Sequence, residues 1–172
     1  MLGTTSINFR FLTYVFLMRA VVQRVKSSSV SLSDGTVSGE IGPGLNVLLG
    51  ISRDDSSEDA DYIIRKLLSV RLWPDPESGK PWVKSAQQLG YGYLLVSQFT
   101  LFAVTSKGAK PDFHRALGPV EASQLFDYTV EKLRQQYLPE LVQTGSFGAM
   151  MDVSIQNDGP VTVIIDSKNK DL

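Results

Sequence analysis

Apolar and polar positions along the chain change period several times, and each change predicts an element. "RAVVQRVKSSSVSL" at 19–32 alternates apolar and polar residues, which predicts a strand, a break at the serines and a second strand. Asp34-Gly35 is a hairpin signal, and Gly42-Pro43-Gly44 marks another turn. "LNVLLGIS" at 45–52 is an apolar run of the kind a buried strand carries. The period then lengthens. In "SSEDADYIIRKLLSVRL" from Ser56, the apolar residues Ile63, Ile64, Leu67 and Leu68 share one helical face, with Ser56 and Ser57 as N-cap candidates and acids in the first turn. "WPDPESGKPW" is a loop or hairpin, "GYLLVSQFTLFAV" a strand of mixed chemistry, and "TSKGAKPDFHR" an irregular, locally basic loop. Pro119 suits the first turn of a second helix, on which Ala122, Leu125, Phe126, Val130, Leu133 and Tyr137 share a face until Pro139 limits it. The last segment, "IQNDGPVTVII" at 155–165, interrupts strand-forming residues with Asn157-Asp158-Gly159-Pro160. Proline cannot donate to a β-ladder and glycine weakens a strand interior, so this run reads as a turn or an edge feature. The pattern predicts one α+β domain, β-rich, with two amphipathic helices.

Composition narrows the chemistry. The chain has 172 residues, 42% hydrophobic and 20% charged, which suits a single globular domain with a real core. With no Cys and one His, disulfides, thiolate zinc sites, a cysteine nucleophile and a multi-histidine metal site within one chain are excluded. The absence of Cys also fits a reducing compartment. A formal net charge of -1 excludes a general polyanion binder, so any nucleic-acid contact must be local, at a small basic patch or a strand end. Residues 1–17, "MLGTTSINFRFLTYVFL", carry no acid and one Arg. They read as an extension preceding a domain that begins at Met18; an organelle-targeting segment and a signal-like stretch are the competing readings. The apolar run is too short for a transmembrane helix.

The residues offer few candidates for side-chain catalysis. Ser97-Gln98-Phe99-Thr100 puts polar groups into an apolar strand, which is either ordinary alternation or a strand end aiming N–H and hydroxyl groups at a pocket. His114 is a candidate base for Ser97 or Thr100, although a lone loop histidine is more often solvated. Asp54 and Asp55 read as loop and pre-helix residues, and Asp75 and Glu77 lie in a Pro-rich turn; neither pair reads as an acid/base couple. Lys107, Lys110 and Arg115 form the one concentrated basic stretch, either a solvated loop or a phosphate contact. "GPGLNVLLG" lacks the Lys-Ser/Thr pair of a P-loop. Trp73 and Trp82 flank a turn and read as packing residues rather than base-stacking platforms. An enzyme with this inventory leans on backbone dipoles or on its substrate.

"SQFTL" at 97–101 and "NDGPVT" at 157–162 resemble the two signature motifs of the D-aminoacyl-tRNA deacylases. "MRAVVQRV" at 18–25, "GEIGPGL", "KGAKPDFH" and "FGAMM" follow in that family's order, and the resemblance spans roughly residues 18–166, closer to the eukaryotic branch. The resemblance implies a homodimeric hydrolase without metal or cofactor. Its substrates would be the 3′ ends of D-aminoacyl-tRNA and glycyl-tRNA, with L-aminoacyl-tRNA spared, in the cytoplasm and away from membranes. It implies a cis Gly159-Pro160 that enters the other subunit's site as a chiral filter, with Asn157 beside it and Arg24 holding the loop across the dimer. It implies that Ser97, Gln98 and Phe99 line the pocket and that backbone N–H groups there form an oxyanion hole. Thr100 matches a residue proposed as nucleophile in the family, but the preferred reading is substrate assistance by the ribose 2′-OH. Lys107 and Lys110 would contact acceptor-stem phosphates. Two readings of other classes stand beside it: a catalytically silent module that grips the tRNA 3′ end, and a small-ester or protein-ester hydrolase using Thr100 with His114. Two departures from the family pattern are the residues 1–17 and the extra Met of Met150-Met151.

Overall fold

The computed structural model describes residues 18–106 and 108–169. Residues 1–17 and Lys107, about which the sequence raised expectations, lie outside the described residues.

One long strand organises the fold. β1 (Arg19–Leu32) runs without the break expected at its serines. It pairs antiparallel with β2 (Val37–Ile41) through its second half, with β3 (Gly44–Gly50) through its first half, and with β8 (Met151–Asp166) along nearly its whole length. The serines stay in the strand because their polar groups are satisfied there. Ser28, 3% exposed, donates its hydroxyl to the Ser154 carbonyl at 2.9 Å. The Asp34-Gly35 hairpin forms as expected, with Gly35 at φ 84 and Thr36 N–H bonded to the Asp34 carboxylate at 2.9 Å.

β3 lies between β1 and the parallel β6 (Gly92–Ser97), which in turn pairs parallel with β7 (Val142–Thr144). β3 is buried on both faces, which explains its unbroken apolar run. On one face pack α1 (Ser57–Ser69) and α3 (Pro119–Gln136). Ile63, Ile64 and Leu67 of α1 and Phe126, Val130 and Leu133 of α3 meet Ala20, Val22, Leu45, Val47 and Leu49 of the sheet. Ser56 caps α1 and donates its N–H to Asp59 at 2.9 Å, while Pro119 opens α3. The other face buries a smaller cluster, Val25, Val30, Ile41, Leu94 and Val96. β2 approaches β7 so closely that a Cβ on Gly39 would run into the Thr144 carbonyl.

The two expected amphipathic helices are present, joined by a four-residue α2 (Ala86–Leu89) that the pattern did not announce. The Pro-rich loop closes a two-stranded ribbon of β4 (Arg71–Trp73) and β5 (Lys84–Ser85). Its two tryptophans differ: Trp73 is packed at 6% exposure, but Trp82 is 57% exposed, which corrects the expectation that both pack. Among the described residues no helix is long and apolar enough to cross a membrane.

Candidate active site

A cavity of about 380 Å³ opens at the C-terminal ends of the parallel strands β3 and β6, where Leu49 pairs with Ser97. The expected strand through Val104 stops here: β6 ends at Ser97 and the chain coils into a 3₁₀ turn over Phe99–Phe102. Gly50 permits the close approach. A Cβ there would sit 3.0 Å from both Leu101 Cβ and the Phe102 ring, and 3.1 Å from the Gln98 carbonyl. The turn's first donors have different fates. Gln98 N–H donates to the Leu49 carbonyl at 2.8 Å, and Leu101 N–H to the Gln98 carbonyl at 3.3 Å. Phe99 and Thr100 occupy the first positions of the 3₁₀ turn, whose N–H groups have no partner within the turn itself.

The opposite wall is the segment after the basic loop. Val104 and Asp112 exchange backbone hydrogen bonds at 2.7 and 3.0 Å, closing that loop at its base with Lys110 exposed on it. Leu117 N–H then bonds to the Ile51 carbonyl at 3.0 Å, which ties Ala116 and Leu117 to the end of β3. Phe99 and Phe113 meet edge to face at 5.0 Å between ring centres, and Phe147 completes the apolar lining.

Ser97, Gln98 and Phe99 line this cavity. Thr100 is not among the lining residues: its exposed hydroxyl accepts a hydrogen bond from Gln98 Nε2 at 2.6 Å. His114 faces Asp112, with Nδ1 2.9 Å from the carboxylate, and does not line the cavity. The Thr100–His114 hydrolase therefore has no geometric support. Sequence reasoning missed Phe113 and Phe147 as pocket walls. The signal was present, since both lie inside the quoted segments "KGAKPDFH" and "FGAMM".

Asn157-Asp158-Gly159-Pro160 is neither a turn between strands nor a break. β8 continues through it as one strand, and Asp158, Gly159 and Pro160 bulge outward, because Val25 pairs with Asn157 while its neighbour Arg24 pairs with Val161. β8 pairs only with β1 among the described strands, so the edge reading holds. The Gly159-Pro160 peptide is cis, and both residues are exposed. Arg24 clamps the bulge. Its Nε lies 3.0 Å from the Asp158 carboxylate and donates to the Asp158 carbonyl at 3.2 Å. Its other arm donates to the Leu72 carbonyl, and its guanidinium lies 6.0 Å from the Trp73 ring centre. These contacts are made within one chain, whereas the resemblance had Arg24 acting across a dimer. Asn157 Nδ2 is buried with no hydrogen-bond partner among the described residues.

One chain does not bring bulge and cavity together. Arg24 pairs with Leu45, four residues before Leu49 on β3, which is ~13 Å along the strand. β8, β1, β3 and β6 are successive neighbours, so Ser97 lies three strand spacings away, ~14 Å across the sheet.

The profile of the family described as D-Tyr-tRNA(Tyr) deacylase matches residues 21–166. The chain belongs to this deacylase family. It is 50% identical over 153 residues to a D-aminoacyl-tRNA deacylase of Dictyostelium discoideum, covering 89% of this chain and all of that one. It is 48% identical to D-aminoacyl-tRNA deacylase 1 of Homo sapiens, covering 87% of this chain and 70% of that one. Among solved structures, one named c-Myc DNA unwinding element binding protein superposes with a TM-score of 0.81 at 47% identity, over 86% of this chain and 97% of that one. A probable eukaryotic D-amino acid tRNA deacylase superposes at 0.77 with 17% identity, over 88% of this chain and all of that one, and shares the fold. The family match thus spans both signature segments, the cavity turn at 97–101 and the bulge at 157–162.

Proposed function

We propose that this chain hydrolyses the ester between a D-amino acid, or glycine, and the terminal adenosine of tRNA, sparing the L-aminoacyl ester, and that it does so as a homodimer. Membership of a deacylase family sets the reaction class, ester hydrolysis. The observation that carries the dimer is the separation of the two signature segments. An exposed bulge clamped by Arg24 and a cavity ~14 Å across the sheet can form one site only when a second copy brings its bulge to this cavity.

In that site the exposed Gly159-Pro160 backbone offers carbonyl acceptors and no side chain beyond the proline ring. Carbonyls held there can bind the substrate amino group and crowd the space an L side chain would need. A filter built of backbone reads handedness alone, so glycine also enters. Phe99 and Thr100 N–H groups are the donors available to a developing oxyanion, since Gln98 N–H is engaged with Leu49. Among the described residues the cavity lining contains no acid, amine or imidazole. Assistance from the substrate suits that lining. The ribose 2′-OH beside the ester helps activate water or the ester, taking a proton from the attacking water while passing its own to the departing 3′ oxygen. Water adds to the ester carbonyl, the 3′ oxygen leaves with a proton, and free amino acid and tRNA result. Lys110 on the loop beside Phe113 is the described cation suited to an acceptor-stem phosphate. Lys107 joins it in the sequence reading. The cytoplasm, where charged tRNA is used, is the site of action in this reading.

The same lack of a side-chain base also suits a module that grips the tRNA 3′ end without cleaving it. Matched D-Tyr-tRNA and L-Tyr-tRNA separate the two, with a chelator present. Rapid loss of the D ester alone, and little loss when the terminal ribose lacks its 2′-OH, is the expected result. Binding without loss of either ester would leave the silent module. Equal loss of both would remove the chiral role of Gly159-Pro160.

A further inference from the structure

The ribbon β4–β5 carries an exposed tryptophan that neither the core nor the cavity uses. Trp82 is 57% exposed, and its backbone is at φ 60, where it stands alone among the described non-glycine residues. The left-handed region is unfavourable for a bulky side chain, so the surrounding turn must hold it there. That turn is well fastened. Asp75 accepts from the N–H groups of Glu77 and Ser78 at 3.1 and 3.0 Å and pairs with Lys84 at 3.2 Å, while Val83 N–H bonds to the Trp73 carbonyl at 3.0 Å. A fixed turn that spends backbone strain to keep an indole in water presents a binding surface.

Its position says what binds. Arg24 bonds Asp158 with one edge and the Leu72 carbonyl with the other, so ribbon and bulge are tied together. If the bulge enters the partner's cavity, the ribbon stands beside that cavity's mouth. This argument rests on the dimeric reading above. Nucleotides preceding the terminal adenosine in the single-stranded tRNA 3′ end must pass that mouth, and splayed bases stack on exposed aromatic rings. The ribbon also exposes Arg71 and Lys80, suited to the backbone phosphates of such a strand, alongside one exposed acid, Glu77, while its Asp75 pairs with Lys84. We propose that Trp82 is a stacking platform for a nucleobase of the single-stranded 3′ end of tRNA, serving the site to which its own subunit donates the Gly159-Pro160 bulge.

Trp82→Gly tests this without a folding penalty from the backbone, because glycine accepts φ 60 freely. The expected result is a KM for D-aminoacyl-tRNA raised about tenfold with kcat unchanged, and unaltered turnover of 3′-O-aminoacyl adenosine, which has no further base to stack. Trp82→Phe should restore most of the loss. Equal losses on both substrates, no loss on either, or a dimer that dissociates in the variant would each overturn the proposal, the last because the ring would then grip a second copy. A second measurement does not depend on hydrolysis. An uncharged RNA minihelix with a single-stranded 3′ end should quench the fluorescence of the wild-type protein but not of Trp82→Gly, in which only the buried Trp73 remains. Quenching without deacylation would sink the enzymatic reading and leave the platform standing; deacylation without quenching would do the reverse.

Discussion

The cavity and the bulge are built by opposite means. At the cavity, a strand end and a 3₁₀ turn are held by apolar packing: Gly50 under Leu101 and Phe102, Phe99 against Phe113, Leu117 on Ile51. At the bulge, three residues that leave the pairing with β1 are held by one largely buried cation. Arg24, its side chain 15% exposed, joins the Asp158 carboxylate and carbonyl to the Leu72 carbonyl. The first region can lose contacts gradually. The second hangs on a single residue, because a bulge projecting from an edge strand has few neighbours to share its load. A shape made by packing tolerates substitution in proportion to volume, whereas one made by a polar clamp fails when the clamp goes.

The sharpest way to break the comparison is Arg24→Ala. It leaves the Asp158 carboxylate without its partner and frees the Gly159-Pro160 backbone to drift. Displacement of a positioning group by an ångström costs about 100-fold in rate, and a loss of at least that size in deacylation is expected. Urea denaturation of the same variant should still be cooperative, since the core clusters do not include Arg24. Arg24→Lys, which keeps the charge but not the fork that spans two carbonyls and a carboxylate, should recover little. Near-wild-type rates for Arg24→Ala would mean that the bulge keeps its shape by backbone pairing alone.

The two regions also differed in how far the sequence revealed them. α1, α3 and β3 were legible because their apolar periods match their burial: Ile63, Ile64 and Leu67 point one way, and β3 is apolar throughout because both its faces are covered. The cavity's first segment, Ser97-Gln98-Phe99, was legible from its motif, but the turn was not. "GYLLVSQFTLFAV" has a strand's composition, and the turn after Ser97 packs against Gly50 on a neighbouring strand, a contact no local pattern contains. The single strand through the serines was hidden for a similar reason, because Ser28 is tolerated only where the Ser154 carbonyl waits for it. At the bulge the local reading saw correctly that proline and glycine do not belong in a central strand. It could not see that β8 resumes its pairing with β1 on the far side, in a shifted register, because the partner strand supplies that pairing. Trp82 was misread because burial of an aromatic is a property of the fold around it.

Within the cavity, Thr100→Val sharpens the contrast between packing and chemistry. The Thr100 hydroxyl accepts from Gln98 and does not line the cavity, so its removal should change the deacylation rate by less than about threefold, against the roughly 10⁴-fold or larger losses that removing a true nucleophile brings. A collapse of activity with the fold intact would restore Thr100 as nucleophile and demand a base that the lining does not contain.

The subtlest difference is in how the two regions respond to pH. Behind the apolar cavity wall lies Asp55, which accepts the Ser52 N–H at 2.6 Å next to Ile51 and has its other oxygen buried without a hydrogen bond. Burial, with a smaller push from the Asp59 charge, raises its carboxyl to about 7, against bonds from Ser52 that pull it down. In the unfolded chain the same group ionises near 3.8. Between these values the folded state holds a proton that the unfolded state has lost, so this group's contribution to stability falls as pH rises from about 4 to 7 and is flat beyond. Asp55→Asn keeps an acceptor for Ser52 and cannot ionise, so its urea midpoint should gain on wild type as pH rises from 4.5 to 7.5. Arg24→Ala compared with wild type should show no such trend. A midpoint difference independent of pH for Asp55→Asn would mean that the carboxyl is already ionised in the folded protein and that the cavity wall stands without its proton.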